Sequence, residues 1–108
     1  MQAFEVADVL EERKRRAEAY REFLRVPSVS CGIYHLAAGS NDPQKPHTED
    51  EVYYVLEGEA TIHVDSDDRP VRPGSVVFVE TGVEHRFHSI EKDLTVLVVF
   101  APARGSRR

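Results

Sequence analysis

The sequence predicts an all-β domain, a sandwich or a barrel of short strands, which one short N-terminal helix precedes. Between residues 30 and 101 the chain alternates segments rich in Val, Ile, Tyr and Phe with turns rich in Gly, Pro, Asp and Ser. This pattern is typical of many short strands. No helical pattern separates the segments, so a parallel sheet with helical crossovers is excluded. At 108 residues the chain is expected to form one domain.

The first predicted element is a helix over VADVLEERKRRAEAY. Asp8 is its expected N-cap, and Glu11 follows at the spacing of a capping box. Apolar positions are few and the run RKRR should face water, so we expect the helix to lie on a surface. Near Tyr20 it gives way to the extended segment YREFLRV, which Pro27 ends. The chain divides into three predicted parts: a helix and extended arm (1–25), a β-barrel (26–103) and a disordered basic tail (104–108).

The strands predicted after the arm are, in order, SCGIYHLA, EVYYVLEG, EATIHVD, RPVRPG, SVVFVE, HRFHSI and LTVLVVFA. The segment DSDDR is expected to close a hairpin between EATIHVD and RPVRPG. The segment LEGE is expected to be a tight turn, because Gly58 can adopt a positive φ angle. The sequence therefore predicts that this turn separates two strands.

Charge and composition limit the kinds of partner. The net charge is −5, from 19 acidic and 14 basic residues, and the excess of acids falls in the β-segments. Such a surface repels phosphate backbones, so no nucleic-acid partner is expected. No apolar run is long enough to span a membrane and no signal-peptide core is present, so we predict a cytoplasmic protein with no membrane contact. The single cysteine, Cys31, fits a reducing compartment.

Two residues of metal-ligand type stand at the start of one apolar strand. Glu51 opens EVYYVL, and both faces of this strand carry apolar side chains. A buried acid there is costly unless it is paired or binds a cation. His47 lies four residues upstream, across a turn, where it can reach the same space. Imidazole and carboxylate together are a metal-ligand combination. Glu49 and Asp50, in the turn between them, are expected to be solvated.

The spacing around His47 and Glu51 resembles the first motif of the cupin superfamily. That motif is Gly, five residues, His, one residue, His, three or four residues, Glu, six residues, Gly. This chain has Gly39, Lys45, His47, Glu51 and Gly58 at those positions. The spacing is kept throughout, and a lysine stands where the family has its first histidine.

The second cupin motif is Gly, five residues, Pro, one residue, Gly, two residues, His, three residues, Asn. Here Gly74, Glu80, Gly82, His85 and Ser89 occupy those positions. The resemblance covers roughly residues 28–101. It implies an antiparallel jelly-roll β-barrel whose metal ligands point inward from one mouth.

Carried over residue by residue, the resemblance leaves His47, Glu51 and His85 as metal ligands. Two imidazoles and one carboxylate are the donor set of non-haem iron sites, so a divalent transition metal (Fe, Mn, Ni or Zn) is expected. An ammonium about 4 Å from such a cation is repelled by roughly 8 kcal/mol at an effective dielectric constant of 20. Lys45 should therefore point away from the metal or lose its proton. Alternatively, Lys45 pairs with Glu51 or Glu49 and replaces the metal.

The resemblance does not fix the activity, because this scaffold hosts many chemistries. The first hypothesis is a metal-dependent enzyme (a dioxygenase, isomerase, lyase or decarboxylase) acting on a small organic molecule, with Tyr53 or Lys45 as proton donor. The second is a non-catalytic protein that binds or senses a small molecule, either with or without a bound metal. The third is a structural dimer with a vestigial pocket.

A homodimer is also expected. Cupins usually pair through their sheets, which the resemblance implies. The residues add support, because Val52, Tyr54 and Leu56 form a second apolar face on a strand whose first face should line the barrel. A barrel of this size cannot cover both faces itself.

Overall fold

The protein is an antiparallel β-barrel with one short helix at its N-terminus, as the sequence predicts. The computed structural model describes residues 1–106. The elements are α1 (Val6–Arg16), β1 (Tyr20–Val26), β2 (Val29–Leu36), β3 (Asp50–Val64), β4 (Asp67–Val71), β5 (Val76–Val79) and β6 (His85–Ala101). Within the described residues, no helix is both long and apolar enough to cross a membrane.

Two long strands organise the sheet, whose order is β1-β2-β6-β3-β4 with β5 paired to β3. β3 and β6 pair from Asp50↔Ala101 at one end to Val64↔His85 at the other. On its other edge β3 pairs first with β5 and then with β4. β3 therefore has a neighbour on both edges over most of its length, and the sheet encloses one apolar core.

The inward face of this sheet forms one apolar core. Tyr53, Ile62, Phe87 and Val96 are among its most deeply buried members, each with 2% or less of its surface exposed. Burial of apolar area at about 25 cal/mol per Å² is the main favourable term in folding. The core fills the barrel beneath the mouth at which β3 begins and β6 ends.

The predicted tight turn at LEGE is wrong, because β3 runs straight through it. Gly58 does adopt a positive φ angle, 99°, as expected. It lies at a shift in the register between β3 and β6, and a Cβ there would come within 2.3 Å of the carbonyl oxygen of Asp93. The glycine is therefore required by a β-bulge, not by a turn. HRFHSI and LTVLVVFA are likewise one continuous strand, β6.

The helix begins at Val6, as predicted, but it ends at Arg16 and not near Tyr20. Glu5 is its N-cap residue and makes no side-chain capping bond, while Asp8 lies in the first turn, so the prediction of Asp8 as N-cap is wrong. Ala17 ends the helix in the left-handed conformation. Val9 is the buried residue of the helix, and the helix contacts β1 and β2. The helix thus lies on the surface of the sheet.

The chain after β6 folds back onto the barrel. The backbone N–H of Arg104 donates to Ser30 Oγ at 2.9 Å, and the N–H of Gly105 donates to Glu49 Oε1 at 2.8 Å. Arg25 Nη2 donates to the Arg104 carbonyl at 2.9 Å. The disordered tail expected from residue 104 therefore differs from the structure at residues 104–106. The rest of that expectation, residues 107 and 108, lies outside the described residues.

Candidate metal centre

One mouth of the barrel opens into a cavity of about 440 Å³. This volume is in the range that small-molecule sites occupy. The floor consists of side chains from β3 and β6, and the rim consists of the loop before β3 together with residues of β1, β2 and the C-terminal turn. The lining residues are Tyr20, Tyr34, Pro43, Gln44, Lys45, Pro46, His47, Glu51, Tyr53, Val98, Phe100 and Arg104.

The structure brings together the three residues that the sequence predicts as metal ligands. His47 comes from the loop before β3, Glu51 from the second position of β3 and His85 from the first position of β6. One donor atom from each lies within 4.8 Å of the others. Ligands on one cation, at bond lengths of about 2.1 Å, lie roughly 3–4 Å apart, so the three donors would have to move together only a little to hold one cation.

Glu51 and His85 form the buried part of the cluster, each with a side chain 1% exposed. His85 Nδ1 donates to the Val83 carbonyl at 2.9 Å, so Nε2 of the neutral ring is a lone-pair donor that faces Glu51. Nε2 lies 2.5 Å from Glu51 Oε1. Apart from this contact, neither carboxylate oxygen of Glu51 nor His85 Nε2 has a hydrogen-bond partner among the described residues. Such a pair of electron-rich atoms requires a cation or a proton between them.

Burial and charge act in opposite directions on His85. Burial by itself would lower the pKa of His85, but the Glu51 carboxylate and the Val83 carbonyl more than offset this and raise the pKa. His47 differs, because burial outweighs the attraction of Glu51 and lowers the pKa of His47. His47 is therefore a neutral imidazole near pH 7, with a lone pair available to a metal.

A polar network that no pattern in the sequence indicates holds the loop before β3. Asp42, with 7% of its surface exposed, accepts from the Tyr34 hydroxyl at 2.7 Å and from the Phe87 N–H at 2.9 Å. It also accepts from Gln44 Nε2 at 2.7 Å. Because the amide nitrogen of Gln44 is engaged by this carboxylate, its oxygen must face the opposite way.

The oxygen of Gln44 faces the metal-ligand cluster. Gln44 Oε1 accepts from the Tyr53 hydroxyl at 3.0 Å and lies 3.3 Å from His47 Nε2. Gln44 stands directly before Lys45 in the sequence, but the motif assigns no role to its position, so no signal in the sequence marked it. The structure thus adds an amide oxygen to the two imidazoles and the carboxylate.

The two residues predicted as proton donors lie at different depths. Tyr53 is 1% exposed, and burial raises the pKa of its hydroxyl well above the ordinary value. Lys45 is exposed on the rim and makes no ion pair with any residue from 1 to 106. The alternative in which Lys45 pairs with Glu51 or Glu49 is therefore not the arrangement in the structure.

Two further residues differ from expectation. Glu49 was expected to be solvated, but it is 2% exposed and its Oε1 accepts the Gly105 N–H. Arg104 was placed in the tail, yet its guanidinium lies 4.9 Å from the centre of the Tyr20 ring and lines the cavity. Both residues take these positions because segments more than fifty residues apart in the sequence meet in the fold, and no local pattern in the sequence records such a meeting.

A β-barrel with a histidine–glutamate cluster in its mouth is the arrangement of the cupin class. The family model described as "Cupin domain" matches residues 32–100. The chain therefore belongs to the cupin family, and the resemblance read from the two motifs is confirmed.

Known proteins similar to this chain include two sequence relatives and one solved structure. An uncharacterized protein of Streptomyces coelicolor is 49% identical over 102 residues, covering 94% of this chain and 97% of its own length. The oxalate-binding protein of Thermotoga maritima is 29% identical over 85 residues, covering 78% of this chain and 62% of its own. The crystal structure of the DMSP lyase DddQ from Ruegeria pomeroyi aligns with a TM-score of 0.66 and 26% identity, over 70% of this chain but only 39% of the lyase.

The network around Asp42 yields a prediction about stability. We expect Asp42→Asn to lower the free energy of unfolding by about 1–3 kcal/mol, because an amide cannot accept every hydrogen bond that the buried carboxylate accepts. Urea denaturation monitored by circular dichroism measures the change. Asp67→Asn, at an exposed strand position, is the matched control and should change stability little. Equal losses in the two variants would contradict the role assigned to Asp42.

Proposed function

We propose that this cupin binds one divalent transition metal in the barrel mouth and acts on a small organic molecule that enters the cavity. The observation that carries the proposal is the buried pair Glu51 and His85. Their facing atoms lie 2.5 Å apart and have no other hydrogen-bond partner among the described residues. Two facing lone pairs at this distance need a positive charge between them, and a bound metal ion would supply it in place of a proton.

The metal would be held by His47, Glu51 and His85, with Gln44 Oε1 as a fourth donor. Once a metal is bound, Gln44 Oε1 and His47 Nε2 would both present lone pairs, and two lone pairs 3.3 Å apart repel unless a cation lies beside both. A metal of this kind, when bound, polarises a substrate oxygen or activates bound oxygen species. Iron, manganese, nickel and zinc all accept nitrogen and oxygen donors of this type.

The chain's own residues would orient the substrate and move a proton. Tyr53 keeps its proton on the hydroxyl oxygen because burial raises its pKa, and Gln44 Oε1 fixes the direction of that O–H bond. Lys45, on the rim, is the alternative proton donor. Val98 and Phe100 line the cavity floor and exclude water from the reacting atoms.

A second candidate function is the binding of a small molecule without turnover. The relative from Thermotoga maritima is named an oxalate-binding protein, and the same donor set that polarises a substrate also retains a ligand. The two functions differ in one observable. A binder returns its ligand unchanged after prolonged incubation, whereas an enzyme converts it.

We also propose a homodimer that forms through the outer face of the sheet. On this face Val52 is paired with Phe78, and Tyr54 with Val76. Val76 is 66% exposed, Phe78 59% and Tyr54 42%. Leu97, next to Tyr54 on β6, continues the apolar surface. A second copy of the chain would present the same apolar surface, which makes the patch self-complementary about a two-fold axis.

The metal ligands give a direct prediction. We expect His47→Ala and His85→Ala to lower metal content far below that of the wild type, because each removes one donor from the cluster. Elemental analysis after loading with iron, manganese, nickel or zinc measures this. His63→Ala, whose ring contacts Asp68 on the surface, is the control and should retain metal. A wild-type protein that takes up none of the four metals would overturn the proposed function.

The two neighbouring residues Gln44 and Lys45 should respond in opposite ways. We expect Gln44→Ala to weaken metal binding by about tenfold or more, since it removes an oxygen beside the cluster. Lys45→Ala removes a repelling cation and should leave metal affinity unchanged or tighter. Competition with a chromophoric chelator gives both affinities. If Gln44→Ala binds as tightly as wild type while Lys45→Ala binds more weakly, the fourth donor is Lys45 and the assignment of Gln44 fails.

The dimer proposal is tested by one matched pair of substitutions. Phe78→Glu places a charge in the centre of the outer patch and should convert a dimer to the 12.2 kDa monomer. Phe4→Glu makes the same change at a phenylalanine near the helix, 42% exposed, and should leave the dimer intact. Light scattering at micromolar concentration reads out both. A monomeric wild type under these conditions would refute the proposal.

A further inference from the structure

We propose that the molecule taken up by this cavity is a small organic carboxylate, whose acid group is held by Arg104 and Lys45 at the mouth. The inference deepens the proposed function and rests on it, because it concerns the same cavity. It names a substrate class and assigns a binding role to Arg104.

Arg104 places a cation on the wall of the cavity, opposite in charge to Glu51, the carboxylate of the lining. Its guanidinium lies 4.9 Å from the centre of the Tyr20 ring and 5.9 Å from that of Phe100, both of which line the cavity. Within the described part of the chain it forms no ion pair, whereas the nearby Arg25 pairs with Glu22 at 3.1 Å. A guanidinium stacked on aromatic rings keeps its planar donor edge free for a carboxylate.

The position of Arg104 is fixed by the backbone and not by its own side chain. Its N–H is bonded to Ser30 on β2, its carbonyl to Arg25 on β1, and the next N–H to the buried Glu49. These bonds tie the turn to separate parts of the fold. The guanidinium is therefore presented to the cavity by a built turn, and its replacement should leave the turn in place.

Lys45 supplies a second cation on the rim. It occupies the motif position at which the family has a histidine, lines the same cavity and makes no ion pair among residues 1–106. The chain as a whole carries a net charge of −5. The two unpaired cations at this opening therefore give it a local charge opposite in sign to that of the whole chain. A local positive field of this kind attracts and orients anions.

The walls favour an organic acid over an inorganic anion. Below the two cations the cavity is lined by Tyr34, Val98 and Phe100, which would contact a carbon skeleton. The Tyr20 hydroxyl is buried without a hydrogen-bond partner in the described structure. Burial raises the pKa of Tyr20, and the charge of Arg104 offsets this only in part, so the hydroxyl remains a donor.

The test compares acids with their neutral amides. Succinate and benzoate, each with its amide, and inorganic phosphate are titrated calorimetrically into chelator-treated and zinc-loaded wild-type protein. We expect both carboxylates to bind more tightly than their amides in both forms. In Arg104→Gln, carboxylate affinity should fall by roughly tenfold to a hundredfold, the value of a charge-assisted hydrogen-bonded contact. Amide affinity should not change.

Three variants separate binding by Arg104 from a general effect of charge. Arg86→Gln, at an exposed position of β6 away from the cavity, changes the net charge equally and should leave carboxylate affinity unchanged. Arg104→Lys keeps the charge but loses the planar fork, so it should recover only part of the affinity. Lys45→Gln should weaken the binding of the carboxylates and leave the binding of the amides unchanged.

The outcomes distinguish this inference from the metal proposal. If Arg104→Gln and Arg86→Gln behave alike, or if the amides bind as well as the acids, the carboxylate inference is overturned even when zinc binds with normal stoichiometry. If phosphate alone binds with the same dependence on Arg104, the ligand class is wrong. If zinc is not bound but the acids still depend on Arg104, the metal proposal fails and the carboxylate inference stands.

Discussion

The structure depends on the burial of Glu51 and His85 side by side at the start of two long strands. Withdrawing a carboxylate and an imidazole from water costs several kcal/mol for each charged group unless partners replace the lost solvent. In this protein the fold keeps their facing atoms 2.5 Å apart. The Val83 carbonyl limits that cost because it accepts a hydrogen bond from His85 Nδ1 and fixes the tautomer. The buried side chains of Tyr53 and Phe87 exclude water, so the pair needs a partner other than solvent.

The loop that carries His47 is held by a second buried carboxylate. Asp42 links this loop to Tyr34 on β2 and to the backbone of Phe87 on β6. By engaging the amide nitrogen of Gln44 it also decides which way the amide oxygen points. The same network therefore ties the loop to the barrel and orients a donor toward the cluster. Since a partly satisfied buried network is destabilising, stability and site geometry are coupled at Asp42.

The mouth of the cavity combines parts that are remote in sequence. The cation of Arg104 arrives from the C-terminal turn, Tyr20 from the first strand and Lys45 from the loop before β3. The turn that carries Arg104 is bonded to Glu49, a residue of the same loop as His47. The proposed ligand contact Arg104 and the proposed metal ligand His47 therefore lie on segments that are bonded to each other, so a change at the turn would affect both.

The sequence by itself determined the all-β class and the N-terminal helix, and the resemblance of its two motifs to those of cupins implied the grouping of His47, Glu51 and His85. These features are local or are encoded by fixed spacings, so they can be read without knowledge of long-range contacts. The tertiary structure alone decided that Gly58 forms a bulge within a strand, because a bulge and a turn both require a glycine with positive φ and differ only in the partner strand. It alone decided the roles of Asp42, Gln44 and Arg104, since their partners lie on other strands and no periodic pattern records which strands become neighbours.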